Sequence, residues 1–161
     1  MKQIIIFSCV LILISCHSGQ DRSDSIGTLP TFGMLRLDSS SVLYTKEIPA
    51  GKTILLMYFN PDCPHCQQET KMFISHMDLL RNVNFYLLSG APLEDIANFN
   101  QRFQLDKYQN ITVGKDFNHS FFRAFKPSSI PYLAIYNSDH KLIKVYKGVS
   151  ELQTLLKAVN S

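Results

Sequence analysis

Ile54-Leu55-Leu56-Met57-Tyr58-Phe59 runs directly into Asn60-Pro61-Asp62-Cys63-Pro64-His65-Cys66, and this junction decides the fold. Six apolar or aromatic residues bounded by turn formers read as a buried central strand. The next element is expected to be a helix from Pro64 to about Leu80. Proline is tolerated at an early helical position, where its missing N–H costs nothing, and Met72, Phe73, Met77 and Leu80 supply an apolar stripe. A second apolar run, Val83 to Leu88, comes after it. Strand, helix and strand make a right-handed crossover unit, with two cysteines at its strand-to-helix turn.

Outward from this unit, Pro92 to Phe103 reads as a second helix and Phe117 to Phe125 as a third, short one. Tyr132-Leu133-Ala134-Ile135-Tyr136 and Leu142-Ile143-Lys144-Val145-Tyr146, joined by the polar turn Asn137-Ser138-Asp139-His140, form a β-hairpin. Ser150 is placed to cap a closing helix, Leu152 to Val159, with Leu152, Leu155, Leu156 and Val159 on one face. Met34-Leu35-Arg36-Leu37 and Val42-Leu43-Tyr44 form an outer N-terminal hairpin. The expected fold class is α/β: one sandwich with a mixed central sheet and helices on both faces.

Of the 161 residues, 45% are hydrophobic and 18% charged, which suits one ordinary domain. The 11 Phe and 7 Tyr exclude disorder for the bulk of the chain. The net charge of +3 arises from scattered side chains, with no Lys or Arg run to form a phosphate-binding stripe. Nucleic acid is therefore not an expected partner. Phe121, Phe122 and Phe125 at helical spacing read as core, and His76, His119 and His140 as surface or cap residues. Asn110-Ile111-Thr112 has the form of a glycosylation sequon by chance.

At the N-terminus, Lys2 precedes the uncharged run Ile4 to Ile14, which is shorter than the about 20 residues a spanning helix needs. A charged start, a short apolar middle and a small residue before a cut site describe an export signal. Leu13-Ile14-Ser15-Cys16 resembles the lipobox of bacterial lipoproteins. That resemblance implies that Cys16 becomes the lipidated first residue and that Cys9 is discarded. Residues 1–15 are then a signal peptide, 16–30 a polar tether, and 31–161 the folded domain. A lipid on Cys16 implies an extracytoplasmic protein anchored to a bacterial membrane, on the periplasmic side, where disulfides persist and a membrane-embedded electron donor is within reach.

Cys63 and Cys66 then remain. Two cysteines separated by two residues in a first helical turn are close enough to join, and the first faces unpaired N–H groups at the positive helix end. C-x-x-C thiols in such surroundings titrate from about 3.5 to 7.5, against about 8.5 for a free thiol. A protonated His65 would favour the thiolate, and the Asp62 carboxylate would oppose it. A zinc site would need His119 or His140 to complete four ligands. Covalent haem attachment requires His where Gln67 stands. A structural disulfide across so short a loop gains little stability, whereas a short, partly exposed bridge suits exchange. No metal and no cofactor is expected.

This segment resembles the thioredoxin superfamily, in particular its extracytoplasmic TlpA/ResA-like members. Three matches carry the resemblance: Cys63-Pro64-His65-Cys66 at a strand-to-helix junction; Ser129-Ile130-Pro131-Tyr132, similar to the family's cis-proline loop; and Glu69, which completes a C-x-x-C-x-x-E pattern. The extra length between Cys66 and Pro131 fits a strand-helix insertion around Ser89 to Gly114, as TlpA-like proteins carry. The resemblance implies a thioredoxin-like thiol–disulfide oxidoreductase acting on protein disulfides or dithiols. Cys63 would be the nucleophile, Cys66 the resolving thiol, Glu69 a proton carrier and His65 a tuner of the thiolate. Ile130 and Pro131 would line the docking groove, with Pro64 and Tyr132 also in contact with substrate.

Two positions depart from the family pattern. Met57 stands where thioredoxin has a buried acid, which leaves Glu69 or water as the base, and Asp62 replaces the aromatic residue before the first cysteine. The architecture leans towards a reductant, while the His65 dipeptide leans towards a DsbA-like thiol oxidase. A thiol peroxidase is disfavoured because the P-x-x-x-[TS]-x-x-C context is missing. A tethered binding module with an idle dithiol remains as the non-enzymatic reading.

Overall fold

The computed structural model describes residues 27–161. The expected signal peptide, Cys9, Cys16 and most of the expected tether, up to residue 26, lie outside the described residues. The described chain forms seven strands and five helices: β1 (Gly33–Arg36), β2 (Val42–Tyr44), β3 (Thr53–Phe59), α1 (Pro64–Ser75), α2 (Met77–Leu80), β4 (Val83–Ser89), α3 (Leu93–Phe103), β5 (Ile111–Lys115), α4 (Ser120–Phe125), β6 (Tyr132–Tyr136), β7 (Leu142–Lys147) and α5 (Leu152–Val159). Single 3-10 turns occur at Thr45–Glu47 and Leu105–Lys107.

The strands join in one sheet of order β2-β1-β5-β4-β3-β6-β7. The β3, β4 and β5 strands are parallel, and β6, β7, β1 and β2 pair antiparallel outside them. Period-two alternation along the buried β3 feeds two cores. Leu55, Met57 and Phe59 face one, together with Phe73 of α1, Phe99 of α3 and Leu155 of α5. Ile54 and Leu56 face the other, with Phe32, Phe121 and Phe125. Helices lie on both faces as expected, but unevenly: α4 is the helix of the second face, which the N-terminal segment and the outer hairpin complete. The expected insertion is α3 followed by β5, which joins β4 to the outer hairpin.

Several expected boundaries move for local reasons. The helix expected from Pro64 to Leu80 is broken at His76 (φ −125°, ψ 27°), whose Nδ1 bonds the Met72 carbonyl at 3.0 Å. The α4 helix starts at Ser120, later than Phe117, because the buried Asp116 carboxylate accepts the Phe121 and Phe122 N–H groups at 3.1 and 3.0 Å. Phe122, read as core, is 47% exposed. Asn110 is structural: its amide donates to the Val83 carbonyl at 2.8 Å. His119 and His140 sit in left-handed backbone positions at turns, with φ of 54° and 59°. Paired structure begins ahead of Thr31, where Thr28 bridges Lys141 and the Leu29 N–H donates to the His140 carbonyl at 2.9 Å.

Gly114 sits where β1 and β5 approach closely. A Cβ there would meet the Leu35 carbonyl oxygen and Met34 Cγ, both at 2.5 Å. Gly114→Ala is expected to cost on the order of 3 kcal/mol by forcing β1 off β5, read as a lower urea midpoint at unchanged slope.

Candidate active site at the end of the central strand

The chain leaves β3 at Phe59 and turns at once. The Asp62 N–H donates to Asn60 Oδ1 at 2.8 Å and the Cys63 N–H to the Asn60 carbonyl at 3.1 Å, an Asx-type turn. Cys63 takes the N-cap position of α1 with extended backbone (φ −73°, ψ 116°), and Pro64 follows at the first helical position. The Gln67 N–H donates to the Cys63 carbonyl at 3.0 Å to begin the helix, and Gln67 Nε2 donates to the Pro61 carbonyl at 2.9 Å. The turn is thus held from both sides.

One helical turn separates two environments. Cys63 is half-buried, whereas Cys66 is 0% exposed and belongs to the core cluster of Phe59, Phe73 and Leu133. Burial pushes the Cys66 thiol well above the usual thiol range. A backbone hydrogen bond from Asn60 pulls it down, and contact with the Cys63 thiol and the Glu69 charge push it up further.

Glu69 lies three residues beyond Cys66 and is also 0% exposed, so it is no solvated helix residue. Burial raises its carboxyl, while two hydrogen bonds from Ser150 lower it. The Ser150 N–H donates to Oε2 at 2.9 Å and its hydroxyl to Oε1 at 2.5 Å. The expected role of Ser150 as a helix cap is therefore corrected: Glu151 occupies the N-cap of α5, and the serine serves the carboxylate. Met57 is fully buried and paired with Leu87 and Leu133, so the site's buried acid comes from α1 instead of β3.

The Ile130–Pro131 peptide is cis. Pairing of Tyr58 with Tyr132 brings this loop to the same end of the sheet as Cys63, and the buried Pro131 accepts the Gly148 N–H at 2.8 Å through its carbonyl. Gly148 allows the return of the chain with φ 94°. Ile130 and Cys63 pack on the rim of the one core cluster that contains Cys66. Pro64 and His65 are exposed beside them. Tyr132, expected to touch substrate, is 4% exposed and its ring lies 5.9 Å from that of Phe125 in the opposite core. Strand alternation turns it away from the groove. Among the described residues, no group of three or more His, Cys, Asp or Glu side chains converges as a metal site requires. Ser150 escaped the sequence reading because its partner lies 81 residues away.

No family model and no curated relative matches the sequence. Solved structures do. A secreted Mycobacterium tuberculosis disulfide oxidoreductase homologous to Escherichia coli DsbE aligns with a TM-score of 0.67 at 17% identity, covering 86% of this chain and 98% of its own. StoA from Bacillus subtilis aligns at 0.61 and 15% identity, covering 82% and 98%. A thioredoxin-like protein from Aeropyrum pernix aligns at 0.60 and 16%, covering 81% and 88%. At these identities the likeness establishes the fold, which is thioredoxin-like.

Ser150→Ala is expected to move the Glu69 carboxyl further up, because the hydroxyl bond that helps stabilise its charged form is lost while the backbone N–H bond remains; a carbon-detected NMR titration reads this. Cys66 carries its proton to higher pH folded than unfolded. Its contribution to the reduced protein's stability is therefore complete below the ordinary thiol value of about 8.5 and lost as pH rises past it. Between that value and about 10, where tyrosines begin to titrate, the urea midpoint of the reduced wild type should fall more steeply than that of Cys66→Ala.

Proposed function

We propose that this chain is a TlpA/ResA-like thiol–disulfide oxidoreductase that exchanges the Cys63–Cys66 dithiol with disulfides of extracytoplasmic proteins, acting mainly as reductant. A lipid on Cys16 would hold it to a bacterial membrane, within reach of a membrane-embedded electron donor. The observation that carries the reading is the asymmetry of the pair: a half-buried Cys63 at a helix N-cap, and a wholly buried Cys66 one turn on, beside a buried Glu69. The disulfide oxidoreductase among the structural neighbours supports the reaction class.

In the forward reaction the Cys63 thiolate attacks one sulfur of the substrate disulfide, forming a mixed disulfide and expelling the other sulfur as a thiolate. Cys66 then gives its proton to the Glu69 carboxylate and attacks the Cys63 sulfur. The Cys63–Cys66 bond forms, the substrate leaves with both sulfurs reduced, and two electrons have passed to it. Glu69 suits the proton transfer because burial raises its carboxyl and makes it a stronger base than an exposed glutamate. Burial of Cys66 destabilises a thiolate there. A dithiol whose ionised form is not favoured gives up electrons more readily, which supports the reducing direction.

An insulin-reduction assay should show turnover for wild type, none for Cys63→Ser, and accumulation of a mixed disulfide for Cys66→Ser. Equal activity of wild type and Cys63→Ser would overturn the enzyme reading in favour of a tethered binding module. Equilibration with a glutathione buffer is expected to place the potential nearer about −270 mV than about −120 mV, a span worth about 7 kcal/mol; the latter value would establish the oxidase reading.

A further inference from the structure

A groove of about 490 Å³ runs between α1 and α3, lined by Gln67, Lys71 and Ile74 on one side and Arg102, Phe103 and Tyr108 on the other. We propose that it binds an acidic segment of the same protein whose disulfide is exchanged at Cys63, an inference that rests on the redox reading above. Cys63, Gln67, Lys71 and Ile74 succeed one another at helical spacing along a single face of α1. The groove therefore lies along the same helix face that begins at Cys63, and the Gln67 Nε2 bond to the Pro61 carbonyl ties its upper end to the turn.

Charge identifies the occupant. Lys71 and Arg102 line the groove and no carboxylate does; among the described residues neither cation has an ion-pair partner. A third cation, Lys107, sits at the rim, where its ammonium donates to Gln104 Oε1. Arg102 lies in the last turn of α3 and is partly accounted for by the helix dipole, but Lys71 is not in the last turn of α1. Ile74, Phe103 and Tyr108 give the floor an apolar character, so the segment would pair carboxylates with an apolar side chain.

Distance sets the register. Eight helical residues separate Cys63 from Lys71, a rise of about 12 Å. An extended peptide covers that in about four residues. The acids should therefore stand about four residues from the substrate cysteine.

The test uses the reduced full-length protein and a fluorescent peptide with serine in place of the exchanging cysteine, a phenylalanine, and a pair of glutamates about four residues along. Fluorescence anisotropy should report binding that weakens as salt shortens the screening length from about 10 Å to about 3 Å. In the Lys71→Gln/Arg102→Gln variant the affinity should fall about tenfold. A peptide with lysines in place of the glutamates should not bind. In turnover, the variant should show a raised KM and unchanged kcat on an acid-flanked disulfide peptide, and wild-type rates on uncharged hydroxyethyl disulfide. Equal peptide affinity of wild type and folded variant, or equal binding of the lysine peptide, would overturn the proposal. Peptide binding that persists while neither disulfide turns over would support the groove and sink the redox reading; turnover of both disulfides at wild-type KM by the variant would do the reverse.

Discussion

A thiol and a carboxyl are hidden from water one helical turn apart, at the start of the helix that leaves the middle of the sheet. Burying such groups is costly unless each has partners, and the fold supplies one from the adjoining turn and one from a distant part of the chain. Asn60 provides a backbone bond to Cys66, and Ser150, from the link between β7 and α5, provides two to Glu69. The closing hairpin thus does more than complete the sheet. Pro131 at its beginning lies at the sheet end that carries the dithiol, and Ser150 just past its end holds the carboxylate beside it.

Most of the architecture was legible because the strands are buried and short. Apolar runs at Ile54 to Phe59, Val83 to Leu88 and Tyr132 to Tyr136 could hardly be anything else, and the closing helix occupies the expected residues Leu152–Val159. Features that depend on distant partners were not legible. The role of Ser150 is invisible without knowing that Glu69 turns inward, and a serine before a helix ordinarily caps it. The late start of α4 follows from Asp116, whose carboxylate takes two N–H groups that a longer helix would have satisfied internally. Tyr132 shows the limit of proximity in sequence: it neighbours Pro131, yet strand alternation sends its ring to the other core.

Placing the acid on the helix changes its coupling to the thiol. An acid at Met57 would have approached from within the sheet, framed by Leu87 and Leu133 and fixed by strand pairing on both sides. Glu69 belongs to the same helix as the thiol it influences, and its orientation depends on a loop serine. The two groups therefore move together if α1 shifts, while the hydrogen bonds that hold the carboxylate do not.

The bridge between Thr28 and Lys141 has a geometric consequence. Lys141 lies beyond Tyr136, which pairs with Ile54 at the beginning of the central strand, whereas Cys63 follows its last residue. The described chain consequently enters at one pole and carries its cysteine pair at the other, with a strand of seven residues, about 23 Å, between them. Gly27, where the described chain begins, therefore lies at the base of the molecule, with the sulfur atoms at the far end.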